Sequence, residues 1–237
     1  MPRRRFFIPT DRIGNGIAIL TPDQAHHLRD VLRLGTGEEV ELFDGEGLSY
    51  SGRVECHGTE IHIGSLKRLK PAEKRKTSLV LAAAIIKADR FEWMLQKGTE
   101  LGVDQFLPLE TRFSCVRIPA AKLEARLERW QRIIREACKQ SRRLTIPRVH
   151  LPLPFSDLVA SQEYAACARF MLHEKAPQRL KVVIPSDPVL LCVGPEGGCD
   201  ATEVRAAEQA GFRVISMGSR IMRDDTAALA AVAVFQF

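Results

Sequence analysis

The sequence predicts an α/β protein, a large C-terminal α/β domain preceded by a small N-terminal β-barrel. Three observations carry this reading. The first seventy residues hold short apolar segments separated by Gly and Asp turns. From Thr77 onward, longer apolar runs alternate with helical periodicity, beginning with the eight residues Leu79–Ile86. Two late apolar runs end in glycine-containing loops, Gly194-Pro195-Glu196-Gly197-Gly198 and the stretch from Met217-Gly218 to Ala227. Paired loops of this kind make a ligand mouth, because α/β sheets bind ligands beyond the carboxyl ends of their strands.

The elements follow in chain order. Ile17–Leu20, Glu39–Phe43, Ser49–Val54 and Glu60–Ile63 read as strands bounded by turns such as Asp44-Gly45. Between them, Thr21 is a candidate N-cap and Pro22 suits the first helical position. A basic run, Lys67, Arg68, Lys70, Lys74, Arg75 and Lys76, holds Pro71 and reads as a linker. The domains are therefore placed at residues 1–72 and 73–237. Leu79–Ile86 has the unbroken apolar pattern of a strand buried on both faces. Phe91, Met94, Leu95, Gly98 and Leu101 share one face of a helix from about Arg90, with Gly102 as its stop. Phe106–Leu109 is the next strand. A long helix after Pro119 repeats Leu123, Leu127, Trp130, Ile134, Ala137 and Ser141 every three or four residues. Strands follow near Arg148–Leu151, Arg169–Leu172, Val189–Val193 and Val214–Met217. Asp200 and Glu203 have capping-box spacing for a helix ending at Gly211. A last helix, from about Asp224 to Phe235, is apolar on all sides.

Composition narrows the function classes. Hydrophobic residues are 45% and charged residues 27% of 237, ordinary for a globular protein. No apolar run reaches membrane-spanning length. The basic start Met1–Arg5 is followed by too few apolar residues for a signal peptide, so a cytoplasmic protein without a membrane partner is expected. The net charge of +6, from 35 Lys and Arg against 29 Asp and Glu, permits a polyanion partner without requiring one. Clustering says more. Arg3, Arg4, Arg5 and Arg12 gather at the start, and Arg132, Arg135, Lys139, Arg142 and Arg143 lie along one predicted helix. The six cysteines include no C-x-x-C pair and no histidine at ligand spacing, so no metal site is expected. They read as reduced, small hydrophobes.

The loop at 194–198 is neither a Walker A loop nor G-x-G-x-x-G. Its glycines expose backbone groups that suit an adenosine-like ligand. A bare strand-to-helix turn is the plainer alternative. Arg220 and Arg223 fall between a strand-end glycine and an apolar helix, where a charge faces a ligand or partner more readily than on an ordinary surface. His173 is a candidate base or a simple loop histidine. His26 and His27, being adjacent, point to different faces. Lys87, Arg90 and Lys97 with Glu100 read as a solvated, paired helix face or as substrate-facing charges.

The final motifs resemble GPEGG and LGxRILRxETA of the SPOUT methyltransferases. The wider pattern is similar to the RsmE family, bacterial 16S ribosomal RNA uracil-N3 methyltransferases. It is carried by Arg4-Arg5-Phe6-Phe7, His26-His27-Leu28-Arg29 with Val31-Leu32-Arg33, Gln96–Gly102 and Glu136–Arg143. Cys199 stands where the family usually has an aromatic residue, Met217 and Met222 replace leucines, and Asp225 replaces glutamate. The resemblance implies a PUA-like barrel, a SPOUT domain with a deep trefoil knot, and a homodimer. It also implies S-adenosylmethionine (SAM) as methyl donor and 16S rRNA, within the small ribosomal subunit, as substrate. It maps SAM binding to Leu172, His173, Gly194, Pro195, Glu196, Gly197, Met217, Gly218, Ile221, Met222 and Ala227. Arg223 and Glu196 take catalytic positions. Arg3, Arg4, Arg5, Arg12, Arg29, Arg33, Lys87, Arg90, Gln140 and Arg143 are placed toward RNA. A SPOUT ribose 2′-O-methyltransferase and a non-catalytic RNA-binding protein on the same fold are the rival readings. Glu196, His173 and solvent are the candidate bases for N3.

Overall fold

The computed structural model describes residues 4–69, 77–180 and 188–237. Arg3, Lys70, Lys74, Arg75 and Lys76, expected in the basic start and linker, lie outside the described residues. The chain divides into two compact units. One is Met1–Lys74 with Cys138–Ile146; the other is Arg75–Ala137 with Pro147–Phe237.

The first unit is a curled six-stranded sheet, a half-barrel. Its strands are β1 (Arg4–Phe7), β2 (Ile13–Gly14), β3 (Ile17–Ile19), β4 (Glu39–Phe43), β5 (Ser49–His57) and β6 (Glu60–Arg68), in the order β1-β4-β5-β6-β3-β2. β1 and β2 are too short to show a period in the sequence; β1 is held by parallel pairing with β4. Alternation fixes the core. Val40 and Leu42 point inward with Phe6, Leu28, Val54, Ile61 and Ile63, while Glu39 is exposed. Helix α1 (Pro22–His26) starts as the sequence predicts. Thr21 Oγ1 accepts the Gln24 N–H, and Gln24 Oε1 accepts the Thr21 N–H at 3.0 Å. Such a cap contributes about 1 kcal/mol. A π-helical turn, His27–Val31, follows. His26 pairs with Asp30 at 2.5 Å, while His27 meets the Phe6 ring edge-on.

Two arginines assigned to RNA are occupied inside this unit. The Arg5 side chain is 6% exposed and pairs with Glu41 at 3.0 Å. Its guanidinium lies over the Phe43 ring at 4.3 Å and donates to the carbonyls of Cys138 and Arg143. Arg143 is itself buried and donates from Nε to the Thr145 carbonyl at 2.9 Å. Arg5 thus ties the 138–146 segment to the sheet, and Arg143 braces that segment from within, so both guanidiniums are engaged inside the unit. Arg4, Arg12, Arg29, Arg33 and Gln140 are exposed.

The second unit is a wholly parallel sheet. Its strands are β7 (Leu79–Ala84), β8 (Gln105–Glu110), β9 (Arg148–Val149), β10 (Leu153–Pro154), β11 (Ala168–Leu172), β12 (Val189–Val193) and β13 (Arg213–Ile215). The order is β10-β8-β7-β12-β11-β13, with β9 also on β8. Every residue of β7 and β12 is buried, the pattern of central strands covered on both faces. One face packs Val80, Leu107, Leu190 and Met171 against Phe155, Leu158, Ala207 and Phe212, the latter on or beside α4 (Phe155–Ala160) and α5 (Ala201–Gln209). Helices α2 (Ala88–Leu101) and α6 (Asp224–Gln236) pack together, with α6 against β7 and β12. Phe91 of α2 meets Trp130 of the 22-residue α3 (Ala120–Ser141), their ring centroids 4.8 Å apart. Burying one such side chain stabilises by about 1.5–3 kcal/mol.

Helix stops follow the sequence. Gly102 takes the left-handed conformation at φ 109°, and the Val103 N–H returns to the Gly98 carbonyl at 2.9 Å. The Asp200–Glu203 capping box forms at the start of α5. Several strands differ from expectation. β5 and β6 run on to His57 and Arg68, so Lys67 and Arg68 of the expected linker belong to a strand. The strand expected over Arg148–Leu151 is limited to Arg148–Val149 of β9, and a second two-residue strand, β10, begins only at Leu153, after Pro152, which has no N–H for a ladder. β13 ends at Ile215, since Ser216 turns to the segment leaving β11. Its N–H donates to Gln178 O, and its carbonyl accepts from Leu180 N, both at 2.8 Å. Among the described residues no helix is long and apolar enough to cross a membrane.

Candidate active site

Three loops leave the carboxyl ends of neighbouring strands β12, β11 and β13 and enclose a cleft of about 760 Å³. The volume lies within the usual range for small-molecule sites. All eleven residues expected at SAM line it.

The first loop runs from Gly194 to Cys199. The Gly198 N–H closes a turn on the Pro195 carbonyl at 2.8 Å, with Gly198 at φ 74°. Cys199 folds back over Gly194 so closely that a Cβ there would lie 2.5 Å from Sγ. Burial pushes the Cys199 thiol up to about 12, so it packs as a neutral group. Cys138 and Cys192 are buried as the sequence reading expects, but Cys56 and Cys115 are exposed on their loop and strand ends. The second loop, Ser216–Arg223, holds Gly218 at φ 128°, where an added Cβ would meet nothing within 4 Å. The backbone there borders open cleft. The third loop starts at His173, whose N–H donates to Ile215 O at 2.9 Å. His173 Nδ1 accepts the Lys175 N–H at 3.3 Å, which leaves the proton of a neutral ring on Nε2.

Charge divides sharply across the cleft. Arg90, from the first turn of α2, binds three carboxylates. It reaches Asp225 at 3.0 Å through Nε, Asp224 at 2.5 Å through Nη2, and Glu196 through Nη1. It is therefore neither a solvated helix charge nor a free RNA contact. It ties the first loop to the start of α6, and its own ionisation is driven further up, chiefly by the Asp225 hydrogen bond. The same bond holds the Asp225 carboxyl below the usual carboxylate range. Asp224 moves the other way: burial outweighs Arg90 and pushes its carboxyl up. Its Oδ2 is enclosed without a hydrogen-bond partner among the described residues. Removing one member of such a buried pair costs about 3–5 kcal/mol, so the cluster is a structural clasp as well as a site wall.

Lys87, Arg220 and Arg223 also line the cleft and are exposed. Their cationic heads find no carboxylate among the described residues. Arg223 takes the N-cap position of α6 without capping it through its side chain. Sequence reasoning missed the Arg90 cluster and also Phe113, which abuts Gly197. Among the described residues no group of acids, cysteines and histidines forms a candidate metal site.

A family model described as an RNA methyltransferase domain matches residues 73–236, and an RNA methyltransferase PUA domain matches residues 20–55. The chain is 34% identical to ribosomal RNA small subunit methyltransferase E of Mesomycoplasma hyopneumoniae, over 95% of both chains. It is 33% identical to the protein of that name from Synechocystis, over 97% of this chain and 76% of the other. The structure is similar to the Neisseria gonorrhoeae methyltransferase E bound to SAM, with TM-score 0.89, 29% identity and coverage of 99% and 97%. A Legionella pneumophila methyltransferase in complex with SAM gives 0.87 at 30% identity, over 100% and 98%.

Proposed function

The chain belongs to the RNA methyltransferase family, and from that premise we propose that it methylates N3 of a specific uridine in 16S ribosomal RNA with SAM as donor. The observation that carries the reading is one cleft that gathers the eleven expected residues beside Arg220 and Arg223, which find no carboxylate among the described residues. The α/β parallel sheet and N-terminal half-barrel are those of the SPOUT and PUA-like classes, the trefoil-knotted class included. Residues 1–72 are proposed as the RNA-gripping domain and 73–237 as the methyltransferase domain.

The cleft fits the donor. Backbone at Gly194, Gly197 and Gly218 offers polar groups at close range, while Leu172, Met217, Ile221 and Ala227 give an apolar wall. When bound, SAM supplies a methyl carbon activated by its sulfonium. The protein must place uracil N3 in line with that carbon, which is chiefly a problem of positioning. The base must first leave its stack. N3 then loses its proton, and negative charge spreads to O2 and O4. Arg223, lining the cleft, faces that charge and stabilises it. Glu196 is the proposed proton acceptor. Arg90 holds one of its oxygens, while the other has no partner among the described residues. His173, with Nδ1 occupied, has no free lone pair in its neutral form and is assigned to the donor wall instead. Exposed Arg4, Arg12, Arg29, Arg33, Lys87 and Gln140 supply phosphate contacts. Incubating unmethylated 16S rRNA with the protein and SAM, then digesting to nucleosides, tests the reading through the appearance of 3-methyluridine.

The partner of this chain is proposed to be a second copy. Ala228, Leu229, Ala231, Val232 and Phe235 of α6 are buried, but Ala227, Ala230, Ala233 and Val234 are only half-buried, and Phe237 is exposed. This apolar flank is continuous with the cleft at Ala227. Sedimentation is expected to give twice the 26.5 kDa chain mass. Ala230→Arg, which puts a charge on the flank, should shift it to one chain mass. An active monomer of the unsubstituted protein at micromolar concentration would exclude the dimer.

A further inference from the structure

Behind the first glycine loop of the cleft, against Gly197, stands an aromatic side chain that the proposed site does not use. After β8 the chain turns at Thr111–Ser114. The Thr111 N–H donates to Ser114 Oγ at 3.0 Å, their hydroxyl oxygens lie 2.9 Å apart, and the Ser114 N–H returns to Thr111 O at 3.2 Å. Arg112 fixes the turn from the other side. Its N–H donates to Glu203 at 2.9 Å, and its guanidinium pairs with Asp200 at 3.2 Å. Between these anchors Phe113 is held outward and 43% exposed. A phenylalanine so well anchored would ordinarily be turned into a core. Instead its Cβ abuts the first glycine loop, only 3.3 Å from where a Cβ on Gly197 would stand. The Arg112 guanidinium lies 6.0 Å from the ring centroid. The result is an exposed flat apolar face on an anchored turn, beside a cation and next to a loop that lines the cleft.

We propose that Phe113 is a stacking platform for the nucleobase next to the methylated uridine, a proposal that rests on reading the cleft as an RNA methylation site. Extruding the target base strips its neighbour of a stacking partner. An exposed aromatic ring replaces that partner without regard to base identity, because every base has a π-face. The anchored turn matters, since a backbone already held in place loses little freedom on binding.

The test compares the unsubstituted protein with Phe113→Ala, Phe113→Leu and Phe113→Trp on unmethylated 16S rRNA. Ala and Leu should raise the KM for RNA by about 5- to 100-fold, with the rate at saturating RNA near normal. Trp should restore the KM, because it keeps a flat ring that Leu lacks. SAM affinity and sedimentation should be unchanged in all three. A Leu variant with normal KM would show that only apolar bulk is needed and overturn the platform. So would a KM defect accompanied by loss of SAM binding or of the dimer, which marks a structural part. If the unsubstituted protein forms no 3-methyluridine, the functional reading itself fails; if it does while Phe113→Ala is normal, only the platform fails.

Discussion

Arg223→Ala is expected to lower the single-turnover methylation rate at saturating RNA by roughly a hundredfold or more. The exposed guanidinium borders the cleft while Arg90 takes the nearby carboxylates, which leaves Arg223 available for the proposed contact with charge on the uracil. SAM affinity should change little, because the role proposed for the residue is toward the acceptor. The fold should survive as well, since the side chain makes no cap on α6. If Arg223 grips phosphate only, the defect will appear as weaker RNA binding with a shallower salt dependence and a normal saturated rate. A normal rate and normal RNA affinity together would remove it from the chemistry.

Gly197→Val should weaken SAM binding by roughly 10- to 100-fold, from the 1–3 kcal/mol typical of overpacking. Gly197 lies on the cleft wall, and its added Cβ would also stand 3.3 Å from Phe113 Cβ. That neighbour must give by a few tenths of an ångström, so a thermal melt first establishes that the variant folds. Calorimetry on the folded variant decides the matter, and unchanged affinity would take this loop out of the donor site. Phe113→Ala, which should leave SAM affinity intact, separates intrusion into the cleft from disturbance of the turn behind the loop.

What could be read in the sequence was local. The N-cap at Thr21, the capping box at Asp200, the Gly102 stop and the unbroken apolar strands obey short-range rules, and they stand where the pattern placed them. The Lys97–Glu100 pair, three residues apart on one helix, forms at 2.8 Å. Arg90, one helical turn away from that reach, could not be paired by the same rule. Its partners lie 106, 134 and 135 residues along the chain. Arg5 misled for the same reason. In a basic N-terminal run it looked like a phosphate contact, yet its partners are Glu41 and two carbonyls more than 130 residues away. The one signal available for the Arg90 cluster was the Asp224-Asp225 pair opening an otherwise apolar helix, where buried acids need a cation. The placement of Cys138–Ile146 with the first unit depends on the chain returning from α3, which no local pattern encodes.

The central claim is methylation of uracil N3 through this cleft. Its most direct test is mass spectrometry of 16S rRNA nucleosides from cells with the gene, without it, and complemented with the unsubstituted or the Arg223→Ala chain. The account predicts that 3-methyluridine disappears on deletion, returns with the unsubstituted chain and stays strongly reduced with Arg223→Ala. Undiminished 3-methyluridine after deletion, or loss of a 2′-O-methylated nucleoside in its place, would contradict it.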